Sequence, residues 1–396
     1  MSAVEFPLIP HFPVAMPWYS NLRPFALLLS LGCCLTSACR AGATEAQWPA
    51  WDTFNERFVQ ADGRVVDVTF DGKSTSESQS YALFFALVAN QRARFDTILN
   101  WTSANLAGSN LGGRLPAWHW GKKDDGSWGV KDENSAADSD LWIAYDLLEA
   151  ARLWHEPRYA AMAKKILALV RERETADVPG VGPLLLPGPQ GFKLSGDRVR
   201  LVTSYYPPFM FRYLALSDPD GPWQKIWTDF EPLALQACAN GVAPDIFVVG
   251  PGGAVVPDTE APPVSSYDAI RVYTWAGMSG ASGASLLRKL TPYAALIHRI
   301  GAPPEKIDPR SGIPLPGNYQ PLGYAGAVLP YLKALGDENE LQRQQGRLRE
   351  AAMRHTLHIG QKPNYYDEAL TLFGQGWIEG RYRFDGDGRL VTPWAK

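Results

Sequence analysis

The residues best suited to chemistry are carboxylates at three places where an apolar helix is about to begin. The first is Glu77, in Ser74-Thr75-Ser76-Glu77-Ser78-Gln79-Ser80-Tyr81, just before the apolar run Ala82-Leu83-Phe84-Phe85-Ala86-Leu87-Val88-Ala89. Short polar residues in such a place can accept bonds from the free N–H groups of a helix start. The turns that follow are apolar almost all round, so this helix is expected to be buried. A carboxyl at the mouth of a buried helix is partly desolvated, which favours its neutral form, and a neutral carboxyl near pH 7 is what a general acid requires. Taken alone, Glu77 reads more simply as a solvated first-turn glutamate stabilised by the helix dipole.

The second set lies in Asn134-Ser135-Ala136-Ala137-Asp138-Ser139-Asp140, followed by Leu141-Trp142-Ile143-Ala144-Tyr145. Either aspartate alone would be a helix cap or a dipole partner. The third is Ser265-Ser266-Tyr267-Asp268-Ala269-Ile270-Arg271-Val272-Tyr273-Thr274-Trp275. Asp268 and Arg271 share a face if this stretch is helical, and their aromatic and aliphatic flanks point to a buried ion pair that keeps the carboxylate charged, as a general base must be. One protonated and one ionised carboxyl across a cleft is the arrangement for hydrolysis of a glycosidic bond. Spacing alone does not bring the three together.

The elements that would have to do so are helices. Periodicity and breakers predict helices over 78–90, 92–106, 138–154, 157–174, 206–216, 221–239, 267–278, 283–300, 322–335, 338–356 and 365–379. Turn signals such as Gly112-Gly113, Pro187-Gly188-Pro189, Pro262-Pro263 and Pro303-Pro304 separate them. Short and long connections alternate as in helical hairpins. The expected fold is all-α, a closed double ring of paired helices in a single domain over 44–396. A minor β-hairpin is expected at Ile246–Gly250 and Ala254–Pro257.

Residues 1–43 read as an export signal. Arg23 precedes the apolar run Pro24–Gly32, which is short for a membrane span, and Ala41-Gly42-Ala43 offers a small-x-small cleavage site. Met16 is an alternative start. In Leu35-Thr36-Ser37-Ala38-Cys39 the leucine stands one place too far from the cysteine for a good lipoprotein signal. Three of the 4 cysteines fall in this segment, and Cys238 alone remains, so no internal disulfide holds the exported domain. The expected location is periplasmic or secreted, with no stable membrane insertion after signal cleavage.

The chain carries 38 Lys+Arg against 41 Asp+Glu with no long basic block, which argues against nucleic acid or an anionic membrane as a partner. The 14 Trp and 16 Tyr suit a sugar cleft, because flat apolar faces stack on pyranose rings while polar edges bond hydroxyls. His119, His155, His298, His355 and His358 form no metal-ligand pattern, and Gly250-Pro251-Gly252-Gly253 lacks the Lys-Ser/Thr of a phosphate loop. No metal and no cofactor are expected.

Taken together, Thr75-Ser76-Glu77-x-Gln79-Ser80-Tyr81, Ala137-Asp138-x-Asp140 and Ser266-Tyr267-Asp268-Ala269-Ile270-Arg271 resemble glycoside hydrolase family 8. Within it they are most similar to the periplasmic endoglucanases encoded beside bacterial cellulose synthase. Trp48-Pro49-Ala50-Trp51, Leu115-Pro116-Ala117-Trp118-x-Trp120-Gly121-Lys122-Lys123 and Leu370-Thr371-Leu372-Phe373-Gly374-Gln375-Gly376-Trp377 extend the likeness over nearly the whole mature chain. The resemblance implies an (α/α)6 barrel with an open cleft and inverting hydrolysis of β-1,4-glucan (cellulose), without a metal. It also makes the cellulose synthase export complex a candidate partner.

It further implies that Glu77 is the proton donor, Asp268 the base that activates water, and Asp138 the central carboxylate that binds and distorts the sugar. Tyr205 would stand beside the catalytic water and Arg271 would orient Asp268. Trp118 and Trp120 are candidate stacking platforms, and Gln79 and Tyr81 are further candidates for substrate contact. Ser78, Ala82 and Ser139 stand where the family usually has glycine; this is mild if the backbone has ordinary helix-start angles and costly if φ is positive.

Two other classes compete. A non-catalytic glucan-binding component of the export machinery would have no need of an acid and a base. A polysaccharide lyase would need a Tyr/His or Lys base and cationic neutralisers, for which the scattered histidines provide no motif. Within the family, xylan and chitosan are the alternative substrates.

Overall fold

A computed structural model describes residues 46–260, 262–317, 319–356 and 364–395. The leader expectations for 1–43 and the side chains of His355 and His358 lie outside the described residues.

The α-helices run in the order α1 (Pro49–Phe58), α2 (Ser76–Val88), α3 (Arg92–Leu106), α4 (Ala137–Trp154), α5 (Pro157–Arg173), α6 (Pro208–Ser217) and α7 (Trp223–Ala237). Then come α8 (Ile270–Met278), α9 (Ala284–Lys289), α10 (Thr291–Ile300), α11 (Leu322–Ala327), α12 (Leu329–Leu335), α13 (Glu338–Thr356) and α14 (Tyr365–Ile378). Helices α2, α4, α6, α8, α11–α12 and α14 make an inner ring, and helices such as α3, α5, α7 and α13, which bury one stripe of apolar residues, pack outside it. This is the (α/α)6 barrel. Its axis is aromatic: the ring of Phe373 from α14 meets Tyr81, Phe84 and Phe85 of α2, Trp142 of α4 and Trp275 of α8, all with centroids within 5.5 Å. Burial of so many large rings is the dominant stabilising term.

The helices expected over 283–300 and 322–335 are each broken in two. Pro292 and Pro330 have no N–H to donate, so the chain restarts a helix at each of them. Helix α8 starts at Ile270, three residues later than expected, which leaves Asp268 in the preceding turn.

Short strands are more numerous than the single expected hairpin. Strands β1 (Ser74–Thr75), β2 (His119–Lys122) and β3 (Trp128–Asp132) form one antiparallel sheet beside the start of α2. Strands β4 (Thr175–Val178) and β5 (Gly182–Leu185) pair after α5. Strands β6 (Lys193–Leu194), β7 (Arg198–Val202), β8 (Ile246–Val249) and β9 (Val255–Val256) form a second sheet, in which β8 and β9 are the expected hairpin. Segments β10 (Ile307–Asp308) and β11 (Ile313–Pro314), and β12 (Arg383–Phe384) and β13 (Leu390–Val391), are two-residue pairs. Strands of two to five residues are too short for a period-of-two pattern to stand out.

The last hairpin is clasped to the C-terminal half of α4. Tyr145 donates to the Gly388 carbonyl at 2.8 Å, Leu390 N–H donates to Glu149 at 2.7 Å, and Arg152 donates to the Leu390 carbonyl at 2.6 Å. The N-terminus of α4 is thereby left for the site.

Helices α11 and α14 touch backbone to backbone. A methyl group on Gly374 would run into the Gly326 carbonyl, with no flexible side chain to give way. Gly374→Ala is therefore expected to lower stability by about 1–3 kcal/mol, the usual cost of overpacking, read as a lower denaturant midpoint with an unchanged slope. An unchanged midpoint would mean that the two helices can separate freely.

Candidate active site

The three carboxylates converge because three helix starts converge. Glu77 is in the first turn of α2. The Thr75 hydroxyl accepts the Ser78 N–H at 3.0 Å and the Ser78 hydroxyl accepts the Thr75 N–H at 3.1 Å, a complete capping box. Ser78 thus closes the cap from a position where glycine was expected, and neither Ser78 nor Ser139 has a positive φ. Asp138 is in the first turn of α4, with one oxygen taking the Ser139 N–H at 2.7 Å. Asp268 sits two residues before α8.

Arg271 joins them. Its Nη1 donates to Glu77 Oε2 at 2.5 Å and to Asp138 Oδ2 at 2.9 Å, and its Nη2 donates to Asp268 Oδ1 at 2.5 Å. Nη1 also donates to the Tyr81 hydroxyl at 2.7 Å. The Arg271 side chain is 2% exposed, Asp138 5%, Glu77 24% and Asp268 42%. The charge is held at the bottom of the site, while the expected acid and base reach the opening. Asp268 is accordingly not the buried partner expected from its flanks; Arg271 is. The Tyr205 ring lies 5.7 Å from the guanidinium, near enough to feel both aspartates.

Electrostatics separate the carboxyls. Burial pushes Glu77 up to about 7; Arg271 opposes this and Asp138 and Asp268 add to it. Asp138 is also raised, by burial first, with Arg271 opposing. Arg271 and, more weakly, Lys73 are the cations that act on Glu77, too little positive charge for three carboxylates in a buried site, so the cluster favours holding a proton near neutral pH. Glu77 Oε2 is taken by Arg271, which leaves Oε1 to carry it.

The cleft above the carboxylates has a volume of about 410 Å³ and is lined by Glu77, Asp268, Phe70, Lys73, Tyr267 and Tyr366 among others. Phe70 on one wall is 57% exposed. No group of three or more His, Cys, Asp or Glu that could hold a metal ion occurs among the described residues.

Several expected substrate contacts are placed elsewhere. Gln79 is fully buried. Its Oε1 accepts the Val65 N–H at 2.7 Å and its Nε2 donates to Thr102 at 3.0 Å, so it ties a loop and α3 to α2. Tyr81 is 1% exposed and holds Arg271. Arg271 lies beneath the cleft floor and positions carboxylates. Trp120 is half-buried, with Arg64 4.2 Å over its ring and Trp128 stacked on it at 5.3 Å. The outward ring is Trp128, which is 48% exposed. Trp118 is half-buried, against His119 and Asp132, and neither Trp118 nor Trp120 lines the cavity.

Asp245 escapes sequence reading. It is buried just before β8, and its carboxylate accepts the N–H of Ser266 at 2.7 Å and of Ala269 at 2.8 Å, as well as the Ser266 hydroxyl. It therefore grips both ends of the turn that carries Asp268. An isolated aspartate 23 residues away gives no sequence signal of this.

Residues 29–380 match the family described as glycosyl hydrolases family 8. An endoglucanase of Xanthomonas axonopodis pv. citri is 44% identical over 351 residues, covering 88% of this chain and 89% of its own length. An endoglucanase of Escherichia coli K12 is 39% identical, covering 88% and 92%. The crystal structure of an endo-1,4-D-glucanase from Vibrio fischeri ES114 superposes with a TM-score of 0.82 at 38% identity, over 88% of this chain and 100% of that one. An endo-β-1,4-glucanase structure from Acetobacter xylinum, 24% identical, has the same fold, with a TM-score of 0.65 over 84% of this chain and 98% of that one.

Two outcomes follow from the geometry. Because the proton on Glu77 is present below and lost above about pH 7, turnover is expected to fall as pH rises through about 7; a rate that stays flat well above pH 7 would remove Glu77 as the acid. Asp245→Ala should release the Asp268 turn and lower kcat on the order of 10²-fold, the cost of a displacement near 1 Å, with KM little changed. An unaltered kcat would show that the turn holds itself.

Proposed function

The chain belongs to glycosyl hydrolases family 8, and from that premise we propose that it is an inverting endo-1,4-β-glucanase that cuts cellulose-type glucan internally. The observation that carries the reading is the single buried guanidinium of Arg271 bonded to Glu77, Asp138 and Asp268 beneath an open cleft.

In this reading Glu77 gives its proton to the glycosidic oxygen as the bond to the anomeric carbon breaks. Asp268 takes a proton from a water that attacks that carbon from the opposite face, and the new hydroxyl has inverted configuration. No covalent intermediate forms, so Asp138 needs no nucleophilic role. Bonded to Arg271, it holds the sugar at the point of cleavage and faces the positive charge that develops there. Tyr205, close to Arg271 and within the field of Asp138, Asp268 and Glu77, helps to seat the water. Exposed Phe70 on the cleft wall, with exposed Trp128 near Gly72 and exposed Tyr319 bonded to Tyr267, offers apolar faces to sugar rings beyond the point of cleavage.

The export reading of residues 1–43 places this activity in the periplasm or outside the cell. No helix among the described residues is long and apolar enough to cross a membrane. The likeness to glucanases encoded with cellulose synthase supports a role in trimming or releasing glucan during cellulose export, with the export complex as partner.

The test is the viscosity of carboxymethyl cellulose with the purified protein and with Glu77→Gln. A rapid fall is expected with the first, and one slower by about 10²–10⁴-fold with the second, the worth of a positioned acid. NMR of the first products should show the α-anomer. A β-anomer would overturn inversion, equal rates would displace Glu77, and cleavage of xylan or chitosan alone would reassign the substrate.

A further inference from the structure

Behind Asp138 lies a second pair of carboxyls that the reaction does not use. Asp140 and Glu174 are both fully buried. Both oxygens of Asp140, and Oε2 of Glu174, meet no N–H or hydroxyl donor. Neither residue forms an ion pair with any Lys, Arg or His among the described residues. The one hydroxyl at hand, Ser135 Oγ, donates to the other Glu174 oxygen, Oε1, at 2.5 Å.

Two buried negative charges without a counterion, and three buried oxygens without a donor, would each be costly. A single proton between them neutralises one of the two charges and satisfies two of the three oxygens, because a neutral carboxyl is itself a donor. We infer that Asp140 carries a proton, donates it to Glu174, and through this hydrogen bond positions Asp138. The two carboxyls lie within reach of each other, and both border Ser135. In support, burial and the neighbouring Glu174 push Asp140 far above the usual carboxylate range, while burial raises Glu174 and its contacts with Ser135 and Asp140 oppose that rise.

The arrangement is a clamp on the first turn of α4. Glu174, at the C-terminal cap of α5, holds Ser135 on one side of Asp138 in the chain and Asp140 on the other. Glu174 is itself fixed. Its N–H donates to Val170 at 2.8 Å and its carbonyl accepts from Leu186 at 2.7 Å, while Ala137 N–H donates to the Pro187 carbonyl at 3.0 Å. Asp138 thus projects from a turn held on both flanks, and its oxygen meets Arg271 with no freedom to swing. Asp140 and Glu174 are positioning residues: they touch neither substrate nor Arg271.

Infrared difference spectra between the whole enzyme and Asp140→Asn test the proton directly. The carbonyl stretch of a protonated, buried carboxylic acid is expected in the enzyme and absent in the variant, while contributions from Glu77 and from Asp146, a further buried acid whose oxygens meet no donor, cancel. An unchanged band would overturn the inference. Kinetics test the clamp and rest on the glucanase reading, whereas the infrared result stands without it. Asparagine can still donate to Glu174, so Asp140→Asn should keep kcat within about threefold. Asp140→Ala should lose on the order of 10²-fold in kcat with KM little changed, as a misplaced Asp138 requires. Equal losses in both variants, or loss in neither, would overturn the positioning role. If Asp140→Ala does not fold, the infrared spectrum and kcat of Asp140→Asn still decide.

Discussion

Everything in the cleft depends on one guanidinium having to serve three carboxyls. Arg271 is buried, always charged, and has a rigid fork of donors. Its planar shape fixes where the carboxyl oxygens can stand. Its charge, to which Lys73 adds only a weaker influence, is too little for three carboxyls to be ionised at little cost. Chemistry that needs a proton donor and a charged acceptor within one site emerges from this shortage of positive charge. Removing the arginine would leave mutually repelling, desolvated carboxyls, so the site and its electrostatics are one construction.

The barrel exists, in this view, to keep the fork still. An aromatic axis around Phe373 locks the inner helices to one another, and backbone contact at Gly326 and Gly374 brings α11 and α14 to their closest approach. Each carboxylate then has its own local restraint. Glu77 has the Thr75–Ser78 capping box, Asp268 has the Asp245 grip on its turn, and Asp138 has the Glu174 clamp. The restraints are made of backbone N–H groups and short side chains, which lose little entropy on being fixed. The C-terminal hairpin clasped by Tyr145, Glu149 and Arg152 holds the other end of α4.

Much of the site was legible because each carboxylate announces a helix start. Polar caps followed by apolar turns are local patterns, and Glu77, Asp138, Asp268 and Arg271 stand out in them. The stacking platforms were less legible. Trp120 and Trp128 are eight residues apart and equally apolar, and only the folding of the β2–β3 sheet, which stacks the two rings beside Arg64, shows that Trp128 is the more exposed. Gln79 lies in the same motif as Glu77 but points to the opposite side of α2, into a loop and α3. Asp245 belongs to no motif at all.

The sequence by itself determined the helices, their order, their buried faces and the three acidic mouths, since capping and hydrophobic periodicity act between residues a few positions apart. Helix α1 and the breaks at Pro292 and Pro330 were not read from it and appear only in the fold. The tertiary structure alone decided which acids meet. Glu77 and Arg271 are 194 residues apart in the chain and 2.5 Å apart in space. It also decided which acids keep a proton, because burial and the count of neighbouring charges are sums over the whole fold rather than properties of any stretch of chain.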